Sequence, residues 1–229
     1  MEDIRGNLER VRERIARAAE RAGRRAGDVL LIGVSKTVGV ERIRLAVAAG
    51  LPALGENRVQ EAREKIATLG RPVPWHLVGH LQTNKVRDGL EAFDLIHSLD
   101  RLELGRECDR RARARGRPAE ALVQVNVAGE ASKGGFDPAT LAEALEALAR
   151  LDQVAVRGLM AIPPAVERAD EARPWFRALA QLAKRHGLGE LSMGMTADFE
   201  VAIEEGATMV RVGTAIFGAR PPKEARQIS

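Results

Sequence analysis

The sequence lacks several features that mark particular classes of protein. Cys108 is the only cysteine among 229 residues, so an intramolecular disulfide is excluded. The first 20 residues carry charges where a secretory signal peptide needs an apolar stretch. No window of the sequence approaches the roughly 18 uninterrupted apolar residues of a membrane helix. We therefore expect a cytoplasmic protein that is not an integral membrane protein.

Aromatic residues are also scarce, with five phenylalanines, two tryptophans and no tyrosine. The 36 basic residues exceed the 32 acidic residues by four, and a balance this mild is a weak argument for nucleic-acid binding. The densest basic run, residues 106–118, lacks the interleaved aromatic residues on which single-stranded bases stack. We interpret this run as a solvated helix face and expect no nucleic-acid partner.

Short apolar runs alternate with helical patterns along the chain. Apolar residues recur at helical spacing from Ile4 to Ala19, so residues 1–26 predict a surface helix with one buried face. Strands are predicted near Leu31, Ala53, Leu77, Ile96, Val125, Gly158, Ser192 and Val210. Helices are predicted between them over residues 40–49, 58–67, 84–90, 101–115, 138–151, 168–186 and 198–205.

This alternation of strands and helices determines the predicted fold class. Strands separated by helices at such spacing pair in parallel. Eight such units in about 200 residues predict an α/β fold, a single (β/α)8 TIM barrel on which the N-terminal helix packs. A doubly wound open sheet is the alternative, because periodicity alone does not show closure. No linker rich in proline, glycine or serine divides the chain, so we expect one domain over residues 1–229.

Lys36 is a candidate reactive residue. It follows the first apolar strand, and parallel α/β barrels carry their active sites at the carboxyl ends of the strands. The chain has only six lysines beside 30 arginines. An amine, unlike a guanidinium, loses its proton after mild desolvation and can attack a carbonyl to form a Schiff base. A strand-end lysine that extends to solvent is the alternative.

Glycine and hydroxyl residues follow the seventh and eighth predicted strands, where barrels commonly hold phosphate. Gly194 and Gly213 permit close approach of the backbone to an anion, and Thr196 offers a hydroxyl. Tight strand–helix turns are the alternative role of these glycines. Arg211 alternates with two valines, so its side chain points either into the barrel or away from it.

The four histidines and the strand-end serines give no further catalytic signal. No Cys/His spacing typical of a metal site links the histidines, so we predict no metal. His97 is interpreted as a strand-end residue satisfied by hydrogen bonds. Ser35 and Ser192 lack a nucleophile elbow, which disfavours a hydrolase triad.

Several motifs, taken in order, resemble those of the YggS/PROSC-type pyridoxal 5′-phosphate (PLP) homeostasis proteins, a family similar to the alanine racemase N-terminal domain. The resemblance runs nearly end to end. Its main motifs are VSKT around Lys36, GENRVQE from Gly55, WHLVGHLQTNK from Trp75, QVNVAGEASKGGF from Gln124, LSMGMTADFEVAI from Leu191 and VRVGTAIFGAR from Val210.

The resemblance implies a set of cofactor-binding residues. Lys36 would form the covalent aldimine with PLP, and Arg211 would face the pyridine nitrogen. A guanidinium stays protonated, so it donates to the ring nitrogen and leaves the ring a poorer electron sink. The other implied residues are Asn57 beside the cofactor, Met160 near its ring, and Ser192, Gly194, Thr196, Gly213 and Thr214 around its phosphate.

The resemblance also implies a function in PLP homeostasis. The protein would bind, buffer and supply this vitamin B6 cofactor as a monomer, with PLP-dependent apo-enzymes as recipients and no catalytic activity of its own. A weakly active PLP-dependent amino-acid racemase is one alternative. Racemisation by the alanine racemase route needs a tyrosine as second base, however, and the chain has none. A barrel that binds another phosphorylated metabolite is the other alternative.

Overall fold

The computed structural model describes residues 3–130 and 133–219. Its eight strands close into one parallel barrel, because β1 pairs with β8 as well as with β2. The strands are β1 Leu30–Val34, β2 Ala53–Glu56, β3 Trp75–Leu77, β4 Leu95–Leu99, β5 Ala119–Gln124, β6 Val154–Met160, β7 Glu190–Met195 and β8 Met209–Val212. The predicted (β/α)8 barrel is confirmed, and the open sheet is excluded.

Helices precede, connect and follow the strands. They are α1 Ile4–Arg21, α2 Val40–Ala48, α3 Val59–Leu69, α4 Val86–Ala92, α5 Leu102–Arg115, α6 Leu141–Ala149, α7 Arg173–Arg185, α8 Phe199–Glu204 and α9 Thr214–Phe217. None of the helices in the described ranges combines the length and the apolar character that crossing a membrane requires.

The predicted and observed helices differ in several bounds, and two of the differences have a clear local cause. Residues 169–172 form a 3₁₀ turn, and α7 begins only at Arg173. Pro174 explains this start, since proline lacks a backbone N–H and fits best in the first helical turn. The short α9 was not predicted, because its four residues are too few for a helical period to be visible.

The strands separate two apolar layers. Leu31 belongs to the large core between the barrel and its helices, whereas the adjacent Ile32 belongs to a separate cluster in the barrel interior. This interior cluster consists of Ile32, Ala53, Leu95, Leu122, Met160 and Met209. Burial on both faces explains why the strands appear in the sequence as apolar runs rather than as alternating patterns.

The N-terminal helix α1 packs against α2, α8 and α9 on the outside of the barrel. Its apolar face, which includes Leu8 and Val11, is buried. The Asp3 side chain accepts a hydrogen bond from the Gly6 N–H at 2.9 Å and caps the first turn. Arg14 pairs with Glu200 of α8 at 2.8 Å. These contacts fix α1 beside the elements that follow β7 and β8.

Candidate functional site

A cavity of about 400 Å³ opens at the carboxyl end of the barrel, between the segments that follow β1, β7 and β8. This volume is in the range of small-molecule sites. The predicted site residues that line it are Lys36, Asn57, Thr196, Arg211, Gly213 and Thr214. The closed barrel thus brings together side chains from four strand ends that are far apart in the sequence.

The lining of the cavity is cationic. Lys36, Arg42 and Arg211 contribute positive charge, and no aspartate or glutamate lies among the described lining residues. Val78 and Ile162 add apolar surface. The cavity therefore suits a small anionic ligand that also carries an apolar part.

A buried ion cluster, defined by Glu56, Glu61 and Lys65, fixes the backbone on both sides of Lys36. Lys65 Nζ donates to the Ser35 carbonyl oxygen at 2.6 Å, to Glu56 Oε1 at 2.6 Å and to Glu61 Oε1 at 2.8 Å. The Thr37 N–H donates to the same Glu61 oxygen at 2.5 Å. Thr37 needs this support because its φ of 64° lies in the left-handed region, which a β-branched residue rarely adopts.

The charges of this ion cluster are set by burial and hydrogen bonding. Burial raises the pKa of Glu56, although the attraction and hydrogen bond of Lys65 act against that rise. Burial also acts to raise the pKa of Glu61, but hydrogen bonds from Lys65 and the Thr37 N–H outweigh it and leave the pKa lowered. An ammonium has three donors, and Lys65 uses all three, for Glu56, Glu61 and the Ser35 carbonyl oxygen. Lys36 is the one lysine among the described residues that line the cavity.

Arg211 forms part of the cavity floor and is itself almost fully buried. Its neighbours Val210 and Val212 pack outward into the large core, so Arg211 points into the barrel. Its Nη1 donates to the Ser192 carbonyl oxygen at 2.8 Å and its Nη2 to the Ala161 carbonyl oxygen at 2.9 Å. Burial lowers the pKa of Arg211 to about 10, so the guanidinium remains charged at neutral pH.

The segments after β7 and β8 are joined by hydrogen bonds. Thr196 Oγ1 accepts from the Gly213 N–H at 3.3 Å. Asp198 Oδ1 accepts from the Met195 N–H at 2.6 Å and fixes the turn that carries Thr196. A Cβ added to Gly213 would lie 3.3 Å from the Val34 carbonyl oxygen, so a side chain there would crowd β1. The turn that borders the cavity is thereby held close to the end of β1.

Three predicted site residues, Met160, Ser192 and Gly194, lie outside the lining of this cavity, and their contact with the cofactor stays a prediction. Met160 is fully buried in the interior cluster, because β6 directs its side chain into the barrel. Ser192 is also fully buried, and its hydroxyl contacts other polar groups in the interior. Gly194 has φ of 89°, and a Cβ there would lie 2.6 Å from the Ala202 Cβ, so its role is to pack α8 against β7.

Other residues of the site were missed. Lys65 and Glu61 lie four residues apart on α3, a spacing that in sequence indicates an ordinary surface pair. Lysine is rare in this chain, and this rarity singled out Lys36. The same observation applies to Lys65 and could have indicated its role in the site. Arg42 and Met195 gave no sequence signal for the cavity they line. The interpretation of His97 as a hydrogen-bonded residue is confirmed by its contact with Ser192.

Comparison with known proteins agrees with this arrangement. The family model described as alanine racemase, N-terminal domain, matches residues 6–221. The pyridoxal phosphate homeostasis protein of Aquifex aeolicus is 48% identical over 220 residues, which cover 93% of this chain and 96% of that protein. The chain belongs to the family of pyridoxal phosphate homeostasis proteins.

Two solved structures are similar to this chain over most of its length. PipY of Synechococcus elongatus with PLP bound is 39% identical, with a TM-score of 0.83 over 94% of this chain and 100% of that chain. An alanine racemase of Clostridium difficile 630 is 18% identical and shares the fold, with a TM-score of 0.74. It is matched over 97% of this chain but only 58% of its own length. The resemblance predicted from the sequence motifs is confirmed.

Proposed function

We propose that the protein binds pyridoxal 5′-phosphate reversibly in the cavity at the barrel mouth and thereby buffers and supplies this cofactor. The observation that carries the proposal is the meeting of the Lys36 amine and the Arg211 guanidinium in one cationic cavity. The names of the relatives and the PLP bound to PipY support the same assignment.

Each lining group has a distinct part in binding. When bound, PLP supplies an aldehyde that condenses with a primary amine and releases one water, and hydrolysis reverses this bond. Lys36 would provide the amine as the Schiff-base lysine, and Thr196, Gly213 and Thr214 would hold the phosphate. Arg211 would face the ring nitrogen and, because it remains charged, would disfavour protonation of that nitrogen.

We propose that the protein does not act as an efficient racemase. Inversion through two bases needs a proton acceptor on each face of the substrate. Among the described lining residues, Lys36 is the single group able to serve as a base, since arginine stays protonated. Incubating the PLP-loaded protein with L-alanine and following its optical rotation tests this. A steady inversion at enzymatic rates would refute the non-catalytic role.

We further propose that the protein acts as a monomer in the cytoplasm and that its recipients are PLP-dependent apo-enzymes. Reversible attachment through one lysine supports a delivery role, because hydrolysis restores both partners unchanged. Light scattering of the purified chain tests the monomeric state. Recovery of activity by a PLP-free apo-enzyme, mixed with the loaded protein in the presence of a scavenger for free PLP, tests delivery.

Spectroscopy and mass mapping test the central proposal. The purified protein should absorb in the visible range after addition of PLP, and borohydride reduction should leave a pyridoxyl adduct on the peptide that contains Lys36. Lys36→Ala should abolish the adduct and leave the barrel folded, because this half-buried mouth residue fills no core cavity. The matched control is Lys85→Ala, an exposed lysine of the same chemistry. A wild-type protein that takes up no PLP would refute the proposal.

A further inference from the structure

A row of four polar side chains crosses the barrel interior and ends at the cavity. His76 Nδ1 lies 2.9 Å from His97 Nε2, and His97 Nδ1 lies 2.8 Å from Ser192 Oγ. Arg211 Nη1 lies 2.5 Å from the same Ser192 Oγ. We call this row the interior relay. His97 on β4 and Ser192 on β7 belong to strands that do not pair, so their hydrogen bond spans the inside of the barrel.

The relay is buried as well as polar. His97 and Ser192 are fully buried, while His76 and Arg211 are 5% and 4% exposed. Barrel interiors are usually filled by branched apolar residues, which carry no desolvation cost. Buried polar groups are tolerated when each is hydrogen-bonded, and such a network then defines one arrangement of its members. The relay meets this condition along the path from His76 to Arg211.

The chemistry of arginine fixes the direction of the hydrogen bonds. A guanidinium only donates, so Ser192 Oγ accepts from Arg211 and has one O–H left to donate. His97 Nδ1 is the acceptor within reach. His97 must then carry its proton on Nε2 and donate to His76 Nδ1, which places the proton of His76 on Nε2 as well.

Donation in the opposite direction, from His97 to Ser192, is disfavoured because it leaves the serine hydroxyl without an acceptor. If His97 Nδ1–H donated to Ser192, the serine hydroxyl would need a different acceptor. Within the described part of the chain, Ser192 Oγ has hydrogen-bond contacts with His97 and Arg211 alone. A buried hydroxyl hydrogen without an acceptor is costly, so the direction from Arg211 to His76 prevails.

We infer that His97 is a positioning residue, which holds the Arg211 guanidinium in the cavity through Ser192. The inference rests on the proposed function insofar as Arg211 faces bound PLP. His97 fixes the serine hydroxyl, the hydroxyl fixes Nη1, and the Ala161 carbonyl oxygen fixes Nη2. The plane of the guanidinium is thereby set, and its remaining N–H groups are directed by the relay rather than by the ligand.

Nuclear magnetic resonance tests the direction of the relay without any PLP. The chain has four histidines, so imidazole ¹⁵N spectra are simple, and His76→Gln and His97→Gln assign the two signals. We expect both rings to be neutral and protonated on Nε2 near pH 7. A proton on Nδ1 of His97, or a charged ring there, would overturn the inference whether or not the protein binds PLP.

Release kinetics of PLP test the positioning role. Replacing His97 with phenylalanine keeps a ring but removes both nitrogens, and Arg211→Lys removes the fixed guanidinium. We expect each variant to release PLP about tenfold faster, the effect of one lost hydrogen bond, and the double variant to be no faster than Arg211→Lys alone. His186→Gln, at the end of α7, is the matched control and should release PLP at the wild-type rate.

Additive effects in the double variant, or an unchanged rate for His97→Phe, would overturn the positioning role. If His97→Phe does not fold, Ser192→Ala replaces it in the same cycle, because it removes one oxygen atom from the relay. Wild-type protein that fails to bind PLP would refute the proposed function, and the tautomer measurement would still decide the direction of the relay.

Discussion

Lys65 Nζ lies 2.6 Å from the carbonyl oxygen of Ser35, the residue that precedes Lys36. The residue that follows, Thr37, is attached through its N–H to Glu61, which itself pairs with Lys65. The backbone on both sides of Lys36 is therefore held by one ion cluster. Glu61 and Lys65 of α3 thus contact the two residues that flank Lys36.

Replacing Lys65 with methionine should destabilise the protein strongly. The substitution leaves the buried carboxylate of Glu56 and the partly exposed carboxylate of Glu61 without their cation, and the loss of the cation from a buried pair costs about 3–5 kcal/mol. Chemical denaturation measures the free energy of unfolding. Arg63→Met on the same helix is the control, since its exposed pair with Asp88 contributes at most about 1 kcal/mol. Equal losses in the two variants would contradict the role of the ion cluster.

A similar matched pair tests the packing role of Gly194. Gly194→Ala should cost about 3 kcal/mol, because the new Cβ would be strained at φ of 89° and would lie 2.6 Å from the Ala202 Cβ. Gly23→Ala provides the control, since its φ of 66° is also positive but no atom lies within 4 Å. We expect that variant to lose about 1 kcal/mol, from strain alone. Thermal unfolding separates the two, and indistinguishable midpoints would exclude a packing role for Gly194.

Acid should destabilise the barrel through His76. Burial lowers the pKa of His76 to about 4, although Asp94 acts to raise it, and its partner His97 has a pKa lowered by burial as well. In the unfolded chain the pKa of His76 is near 6.5, so the unfolded state binds the proton first as the pH falls. Stability present above pH 6.5 is thus lost between pH 6.5 and about 4.

The expected loss from His76 alone is about 1.4 kcal/mol per pH unit within that window, and His76→Gln should remove it. Urea denaturation of wild type and variant at several pH values measures both slopes. The variant is expected to be less stable at pH 7, since it breaks the interior relay, so the slope is the decisive quantity. Parallel pH profiles would show that His76 has the same pKa in the folded and unfolded states.

Cys108 should be unreactive while the protein is folded. The thiol lies in the core, and burial raises its pKa to about 12, so almost no thiolate exists at neutral pH. A chromogenic disulfide reagent should therefore label no thiol in buffer and one thiol per chain in denaturant. Rapid labelling of the folded protein would mean that α5 opens locally on the timescale of the assay.

Local patterns predicted most of the fold. The strand near Leu31 is visible as a short apolar run, because both of its faces are buried, and the helix that follows it is visible from apolar residues at helical spacing. The sequence left a closed barrel and an open sheet as alternatives. The pairing that closes the barrel joins Leu31 to Val210, and a local pattern does not show a contact between residues so far apart in the sequence. The start of α7 depends on one proline, Pro174. The apolar pattern continues before this residue and therefore does not show where the helix begins.

The sequence by itself determined the family, the alternating elements and the lysine that follows the first strand, because these depend on neighbours within a short stretch of chain. Only the tertiary structure decided which way Arg211 points and that Ser192 contacts His97 across the barrel. It also decided that Lys65 is a buried ion rather than a surface partner of Glu61. These properties depend on burial and on contacts between distant segments, which exist only when β1 and β8 have closed the barrel.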